Sequence, residues 1–187
     1  MSASVSSERY RLAPPVVAAF IGWWRTLSDE TASGQIKADR AVLRRCEDLT
    51  AVTCSAAYQR VYWKLQQAHE GMAWAPWQQE RIAAFVALSA HVHAHTALSL
   101  PHAMHQKAKS SDRECVSELR FKRLLESPDP DSLFIGLRRV MPLIGHRVDV
   151  KLMAQDVFGW GDSVKKRWAY DYYDPSSAPT DNASAAA

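Results

Sequence analysis

Glycine and cysteine are scarce in this chain, and each scarcity narrows its structural class. There are 7 glycines among 187 residues and few β-branched runs. This disfavours a sheet protein, because sheets use glycine in turns and β-branched side chains in strands. The 3 cysteines are an odd number without close pairing or a CxxC motif. They indicate neither a disulfide framework nor a cysteine-rich zinc site, and they fit a reducing, cytoplasmic location.

Apolar runs long enough to cross a bilayer are also missing. The run at residues 16–24 is too short for that purpose. It is followed by Arg25 and a polar segment, whereas a signal peptide would continue into a small-residue cleavage site. We therefore expect this run to form a buried helix of a soluble protein that does not associate with membranes.

Apolar residues make up 47% of the chain and recur at helical spacing. Phe20, Trp23, Trp24 and Leu27 follow the i, i+3, i+4, i+7 pattern, and residues 133–144 carry the best stripe. We predict an all-α protein, elongated and built of two small helical bundles. Both ends can be predicted for four helices, at 36–46, 55–68, 77–95 and 114–126. The predicted segments are a disordered arm at 1–13, an N-terminal bundle at 14–105, a linker or mobile loop at 101–112, a C-terminal bundle at 112–173 and a disordered tail at 174–187.

Motifs for catalysis are missing or incomplete. The sequence has no GxSxG, no HExxH and no glycine-rich phosphate loop. His91 and His95, at i and i+4, have the spacing of two metal ligands, but no acidic residue lies near them in sequence to add a third. A helix end, where the dipole favours histidine, is the simpler interpretation. We expect no catalytic residue, no metal and no cofactor. A metal-dependent hydrolase that uses these two histidines, with or without His102, is an alternative hypothesis.

Aromatic residues give only a weak indication of nucleic-acid binding. Unpaired bases can stack on exposed aromatic side chains, but most of the 7 tryptophans fall on predicted core faces. Trp74 and Trp77 flank the break at Pro76, so we predict that these two belong to a contact surface.

Clusters of lysine and arginine that packing does not require are the strongest functional signal. The net charge is only +3, yet residues 35–45 carry four cations against one anion, and residues 134–167 carry seven against three. Lys37, Arg40 and Arg44 are spaced i, i+3, i+7, which predicts one outer helix face. Arginine binds phosphate through a planar fork that lysine lacks. A solvated surface is the ordinary alternative for such clusters.

Several motifs follow one another in a specific order. The first half contains Phe-Ile-Gly-Trp-Trp at 20–24 with Leu27, then Asp-Arg-Ala-Val-Leu-Arg-Arg-Cys at 39–46. The second half contains Arg-Phe-Lys-Arg-Leu-Leu at 120–125, Leu-Phe at 133–134, Leu-Arg-Arg at 137–139, Trp-Gly at 160–161, and Trp168 through Tyr-Tyr at 172–173. Together they resemble the CasB family, the small subunit of the type I-E CRISPR Cascade surveillance complex, over roughly residues 16–173.

The resemblance implies a non-catalytic helical subunit of an RNA-guided complex. It implies contact with crRNA and target DNA, with the large subunit and the backbone subunits of Cascade, and with a second copy of the chain. Its implied role is to stabilise the R-loop by holding the displaced DNA strand. A helical protein–protein adaptor without nucleic-acid contact is the alternative. With Lys37 and Arg40 from the predicted outer face, the candidate nucleic-acid-binding residues are Arg44, Arg45, Lys107, Lys109, Arg120, Arg123, Arg138, Arg139, Lys165, Lys166 and Arg167.

Overall fold

The computed structural model describes residues 10–29, 31–108 and 113–173. Ten α-helices and two short strands occur in these residues, which confirms the predicted all-α class. The first five helices are α1 (Pro14–Ser28), α2 (Gly34–Arg45), α3 (Leu49–Thr53), α4 (Ala56–Ala68) and α5 (Pro76–Ser89). The strand β1 (Ala94–His95) follows, then α6 (Leu100–His105), α7 (Glu118–Leu125), α8 (Pro130–Val140), β2 (Arg147–Val148), α9 (Val150–Phe158) and α10 (Asp162–Tyr173).

Local sequence signals set where most helices begin. The side chains of Asp48, Ser55, Asp129 and Asp149 each accept a hydrogen bond from a backbone N–H in the first turn of α3, α4, α8 and α9. Aspartate directly after the turn that begins at Gly145 predicts an N-cap at Asp149. Asp149 accepts from Leu152 N at 2.8 Å, which confirms this prediction. Proline occupies the first turn of α1, α5, α6 and α8, where a missing N–H costs nothing.

Helix α5 lies at the centre of the fold. Residues 82–89 are all buried, so this helix is covered on every side, as a core helix must be. It contacts α3 and α4 from the first half of the chain, and α8 and α9 from the second half. The two halves therefore share one continuous hydrophobic cluster. The division into two bundles stays a prediction.

The C-terminal end of α5 differs from the prediction of a helix at 77–95. The helix ends at Ser89, and Ala94 and His95 form β1, which pairs in parallel with Arg147 and Val148 of β2. His91 and His95 therefore do not lie on one helix face. The alternation of three histidines was a period-two pattern, which is the pattern of extended chain.

Buried carbonyl groups at the end of α5 are capped by side chains from other elements. Trp24 Nε1 donates to Ser89 O at 3.2 Å. The Arg40 guanidinium donates to Ala90 O at 3.1 Å and to Val92 O at 3.0 Å. The last carbonyls of a helix have no partner within it, and burial without one is costly. These side chains therefore join α1 and α2 to the centre of the fold.

Residues 101–105, predicted as part of a linker or mobile loop, instead form most of the buried helix α6. Pro101 and Met104 are buried, and Ser99 Oγ accepts from His102 N at the start of the helix. The prediction is wrong here because two polar histidines masked a short apolar face. The packing of this helix against α10 is a tertiary effect that composition does not report.

The chain just before α1 is attached to the fold. Leu12 is buried, its N–H donates to Gln155 Oε1 at 3.0 Å, and its carbonyl accepts from Gln155 Nε2 at 3.2 Å. The predicted disordered arm at 1–13 lies outside the described residues up to residue 9, and the predicted tail at 174–187 lies outside them throughout.

Replacing Arg40 by methionine should destabilise the fold. The change keeps an apolar stem but leaves the carbonyls of Leu27, Ala90 and Val92 without their donors. We expect the free energy of unfolding to fall by roughly 2–4 kcal/mol, measured by urea denaturation. Lys37→Met, at an exposed position of the same helix, is the control and should change it by less than about 0.5 kcal/mol. Equal effects would contradict this role for Arg40.

Candidate nucleic-acid interface

Helices α7 and α8 enclose an open groove, here called groove A, of about 480 Å³. Arg120 and Arg123 reach it from α7, and Arg139 reaches it from α8. All three side chains are exposed, and among the described residues none of them forms an ion pair. Glu126 is the one carboxylate among the residues that line it. Groove A is therefore a cationic surface whose guanidinium groups are available to a ligand.

The amphipathic pattern of α7 places its arginines there. Phe121 and Leu124 are buried at i and i+3, so Arg120 and Arg123 fall on the flank of the same helix. Gly136 of α8 lies against Leu124 of α7 at the floor of the groove. A Cβ at position 136 would lie 2.6 Å from Leu124 Cδ2, so a larger residue there would force the Leu124 side chain to move.

A second cationic cluster lies on the other side of α8. Successive residues of a helix point about 100° apart, so Arg138 turns away from groove A. Its guanidinium carbon lies 5.6 Å from the centre of the Phe134 ring. Burial, then the charges of Arg138 and Arg44, lower the pKa of His91 to about 4. The structure thus brings Arg138 and Arg44 to one neighbourhood, and the exposed Arg45 follows Arg44 at the end of α2.

The predicted cluster at 165–167 divides among different environments. Lys165 Nζ donates to Ser127 O at 3.2 Å and lies 5.5 Å from the Trp160 ring centre. Because Ser127 lines groove A, Lys165 stands at its rim. Lys166 is exposed. Arg167 forms an ion pair with the buried Asp156, so much of its binding capacity is used within the fold.

The remaining predicted residues do not join groove A. Lys37 is exposed on α2, but Arg40 points inward to the end of α5, so the prediction that it shares the outer face is wrong. The sequence could not show this, because a buried guanidinium that caps carbonyls has the same helical spacing as an exposed one. Lys107 is exposed and bridges to Glu114 through the backbone, and Lys109 lies outside the described residues.

Aromatic exposure also differs from the prediction. Trp74 is buried and stacks on His69, with ring centres 3.7 Å apart, so its assignment to a contact surface is wrong; Trp77 is half-buried. The exposed tryptophan is Trp63, at 60%. Val61 and Leu65, one helical turn apart in the sequence, mark the buried side of α4, and residue 63 lies off that side. The exposure of Trp63 could therefore have been predicted from the sequence.

The described residues contain no group of three or more His, Cys, Asp or Glu side chains suited to a metal ion. His93 and His146 stack, with ring centres 4.3 Å apart, and His146 Nδ1 bonds to His91 O at 2.8 Å. These histidines thus hold the segment after α5 against the segment before β2. Within the described chain, no helix has both the length and the apolar character needed to cross a bilayer.

The fold and groove A together define an α-helical protein with an arginine-lined surface. The sequence profile of CRISPR-associated protein Cse2 matches residues 39–173. The chain belongs to the Cse2 family, and the resemblance to CasB proteins is confirmed. No curated protein sequence matches the chain at a significant level.

Solved structures agree with this assignment. The Cse2-family protein TTHB189 of Thermus thermophilus is 26% identical, with a TM-score of 0.62, covering 87% of this chain and 99% of that one. A structure described as CasB from Thermus thermophilus is also 26% identical, with a TM-score of 0.61 and the same coverage. A chain of Escherichia coli Cascade bound to a PAM-containing double-stranded DNA target shares the fold at 16% identity, with a TM-score of 0.64, covering 83% and 95% of the two chains.

The low pKa of His91 should make stability depend on pH. The folded value is about 4 and the unfolded value is about 6.5, so the unfolded chain binds the proton more tightly. The contribution of neutral His91 to the free energy of unfolding is therefore complete above pH ~6.5, and it is lost as the pH falls towards 4. We expect a loss of roughly 2–3 kcal/mol over this interval, reduced in His91→Gln. Urea unfolding across the pH range measures it, and equal acid slopes for the two proteins would contradict it.

Proposed function

We propose that this chain is a non-catalytic structural subunit of an RNA-guided Cascade complex in the cytoplasm. In that complex it binds the nucleic-acid backbone and stabilises the R-loop by holding the displaced DNA strand. The observation that carries the proposal is groove A, where Arg120, Arg123 and Arg139 converge from two helices. Membership of the Cse2 family supports the assembly, and the charge of the groove supports the ligand.

Groove A suits a sugar-phosphate chain whose sequence is not read. Arginine forks bind phosphate oxygens in bidentate fashion, and phosphate contacts position a strand without specifying its bases. Leu124, Val140 and Leu143 supply the apolar part of its lining, and these side chains have no hydrogen-bonding group with which to read a base edge. A displaced strand can have any sequence, so a backbone-binding surface is what this role requires.

The energetics of an R-loop make such contacts sufficient. Forming the heteroduplex replaces one duplex with another of similar stability, so modest protein contacts shift the balance. Each phosphate contact releases condensed counterions and therefore weakens with salt. The three exposed arginines of groove A supply contacts of this kind.

Charge reversal in groove A should shorten the life of the R-loop. For the double variant Arg123→Glu and Arg139→Glu, we expect dissociation of target DNA from the reconstituted complex to be roughly 10- to 100-fold faster, which corresponds to about 1.4–3 kcal/mol. The fold should persist, because both residues are exposed and outside the core.

The matched control is Arg25→Glu with Lys64→Glu, which makes the same charge change at exposed positions of α1 and α4. The control should leave the dissociation rate within about twofold of the unmodified complex. Equal acceleration in the two double variants would show a general charge effect and would count against groove A.

Exposed apolar side chains support the proposed contacts with other Cascade subunits or a second copy. Leu119 is 60% exposed, Tyr170 is 79% and Tyr173 is 53%. Tyr173 Oη donates to Glu118 Oε1 at 3.1 Å, so the end of α10 lies against the start of α7. Aromatic residues that remain exposed in a free chain are typical of protein interfaces. This surface favours the protein–protein adaptor as the second candidate.

The two candidates are separated by changing the apolar surface alone. Leu119→Ser with Tyr170→Ser should lower incorporation into the complex severalfold, measured by co-purification, because it removes exposed anchors without touching the core. The groove A variant should be incorporated normally. If the groove A variant is lost from the complex and the apolar variant is not, the cationic surface is a protein contact and the adaptor hypothesis is the better one.

A further inference from the structure

A larger groove, here called groove B, opens between the segment before α1 and the junction of α9 with α10. It encloses about 970 Å³, and the residues that line it include Tyr10, Arg11, Lys151, Trp160, Asp162 and Arg167. None of the predicted nucleic-acid-binding residues except Arg167 lies in it. The contribution of residues 10 and 11 could not be foreseen, since they belong to the predicted disordered arm.

The wall formed by the N-terminal segment is held in place. A Cβ at Gly159 would lie 2.9 Å from Tyr10 O and 3.1 Å from Gln155 O, so the segment passes where only glycine leaves room. Arg81 Nη1 donates to Phe158 O at 2.7 Å, and its guanidinium carbon lies 5.8 Å from the Tyr10 ring centre. Arg11 therefore projects from an ordered support.

Groove B has cations in excess of free carboxylates. Arg11 and Lys151 are exposed, and within the described chain neither forms an ion pair. Three carboxylates line the groove. Asp149 caps α9, Asp156 is paired with Arg167, and Asp162 is the first residue of α10. The charge of Asp156 is thus compensated by its partner and Asp149 is half-buried, so Asp162 is the exposed carboxylate that an incoming anion would meet.

The two grooves share a wall. Trp160 lines groove B, and its Nε1 donates to Ser127 O at 3.4 Å. Ser127 lines groove A, and the same carbonyl accepts from Lys165 Nζ at 3.2 Å. Lys165 therefore lies between the two grooves.

We propose that groove B continues the backbone-binding surface of groove A, so that one single-stranded nucleic acid leaves groove A past Lys165 and is held by Arg11 and Lys151. The inference rests on the proposed function and extends it: the ligand is a strand long enough to occupy both grooves. Phosphate groups meet cations at both ends of this path and at the passage between them. Asp162 lowers the affinity of groove B, which makes it the weaker end of the path.

The test compares four variants in the reconstituted complex bound to target DNA. Arg11→Glu with Lys151→Glu reverses groove B, and Asp162→Asn removes its exposed carboxylate. The groove A variant is Arg123→Glu with Arg139→Glu, and the matched charge control is Arg25→Glu with Lys64→Glu. Two quantities are measured: the length of displaced strand protected from a single-strand nuclease, and the salt dependence of R-loop dissociation.

We expect the groove B variant to protect a shorter stretch at one end, and to lower the salt slope by about 1.4, as two lost contacts to a single strand require. Asp162→Asn should slow dissociation severalfold. The control should change neither quantity. Melting temperatures close to that of the unmodified chain establish that the variants are folded.

Two results would overturn the inference. Protection of unchanged length in the groove B variant, with the groove A variant defective, leaves the proposed function standing and removes groove B from the path. Loss of the groove B variant from the complex itself, with an unchanged footprint where it is incorporated, assigns the groove to an acidic protein partner. Failure of the proposed function is a different outcome, in which the groove A variant also behaves like the control.

Discussion

The rest of the fold depends on one constraint: the buried carbonyl groups at the C-terminal end of α5 need hydrogen-bond donors. A helix covered on every side presents its last carbonyls to protein and not to water, and a buried carbonyl without a donor is costly. Trp24 from α1 and Arg40 from α2 supply those donors, and His146 extends the same arrangement to the segment before β2. These hydrogen bonds orient the outer helices about the core, while apolar burial provides most of the stabilisation.

The candidate interface is a consequence of that arrangement. Because α8 packs on α5, its two consecutive arginines are fixed on different sides: Arg139 in groove A with α7, and Arg138 towards α2 and His91. A cationic surface assembled from separate helices needs no local motif, only a common support. This explains how a chain with a net charge of +3 can still concentrate positive charge in one groove.

Much of the architecture could be predicted from the chain itself. The all-α class, the cap at Asp149 and the family resemblance follow from periodicity, capping chemistry and motif order, all of which are local. Helix α6 and the end of α5 could not, since their outcome is decided by tertiary burial. Among the candidate residues, Arg123 and Arg139 are brought together as a cationic site requires. Arg40 has the same chemistry and helical spacing as its neighbours, and only the position of distant carbonyls distinguishes its role.

The sharing of α5 between the two halves bears on how this subunit can respond to its partners. A hinge between the halves would have to open the middle of the hydrophobic core, whereas displacement of the whole molecule disturbs none of it. The two halves should therefore move as one body.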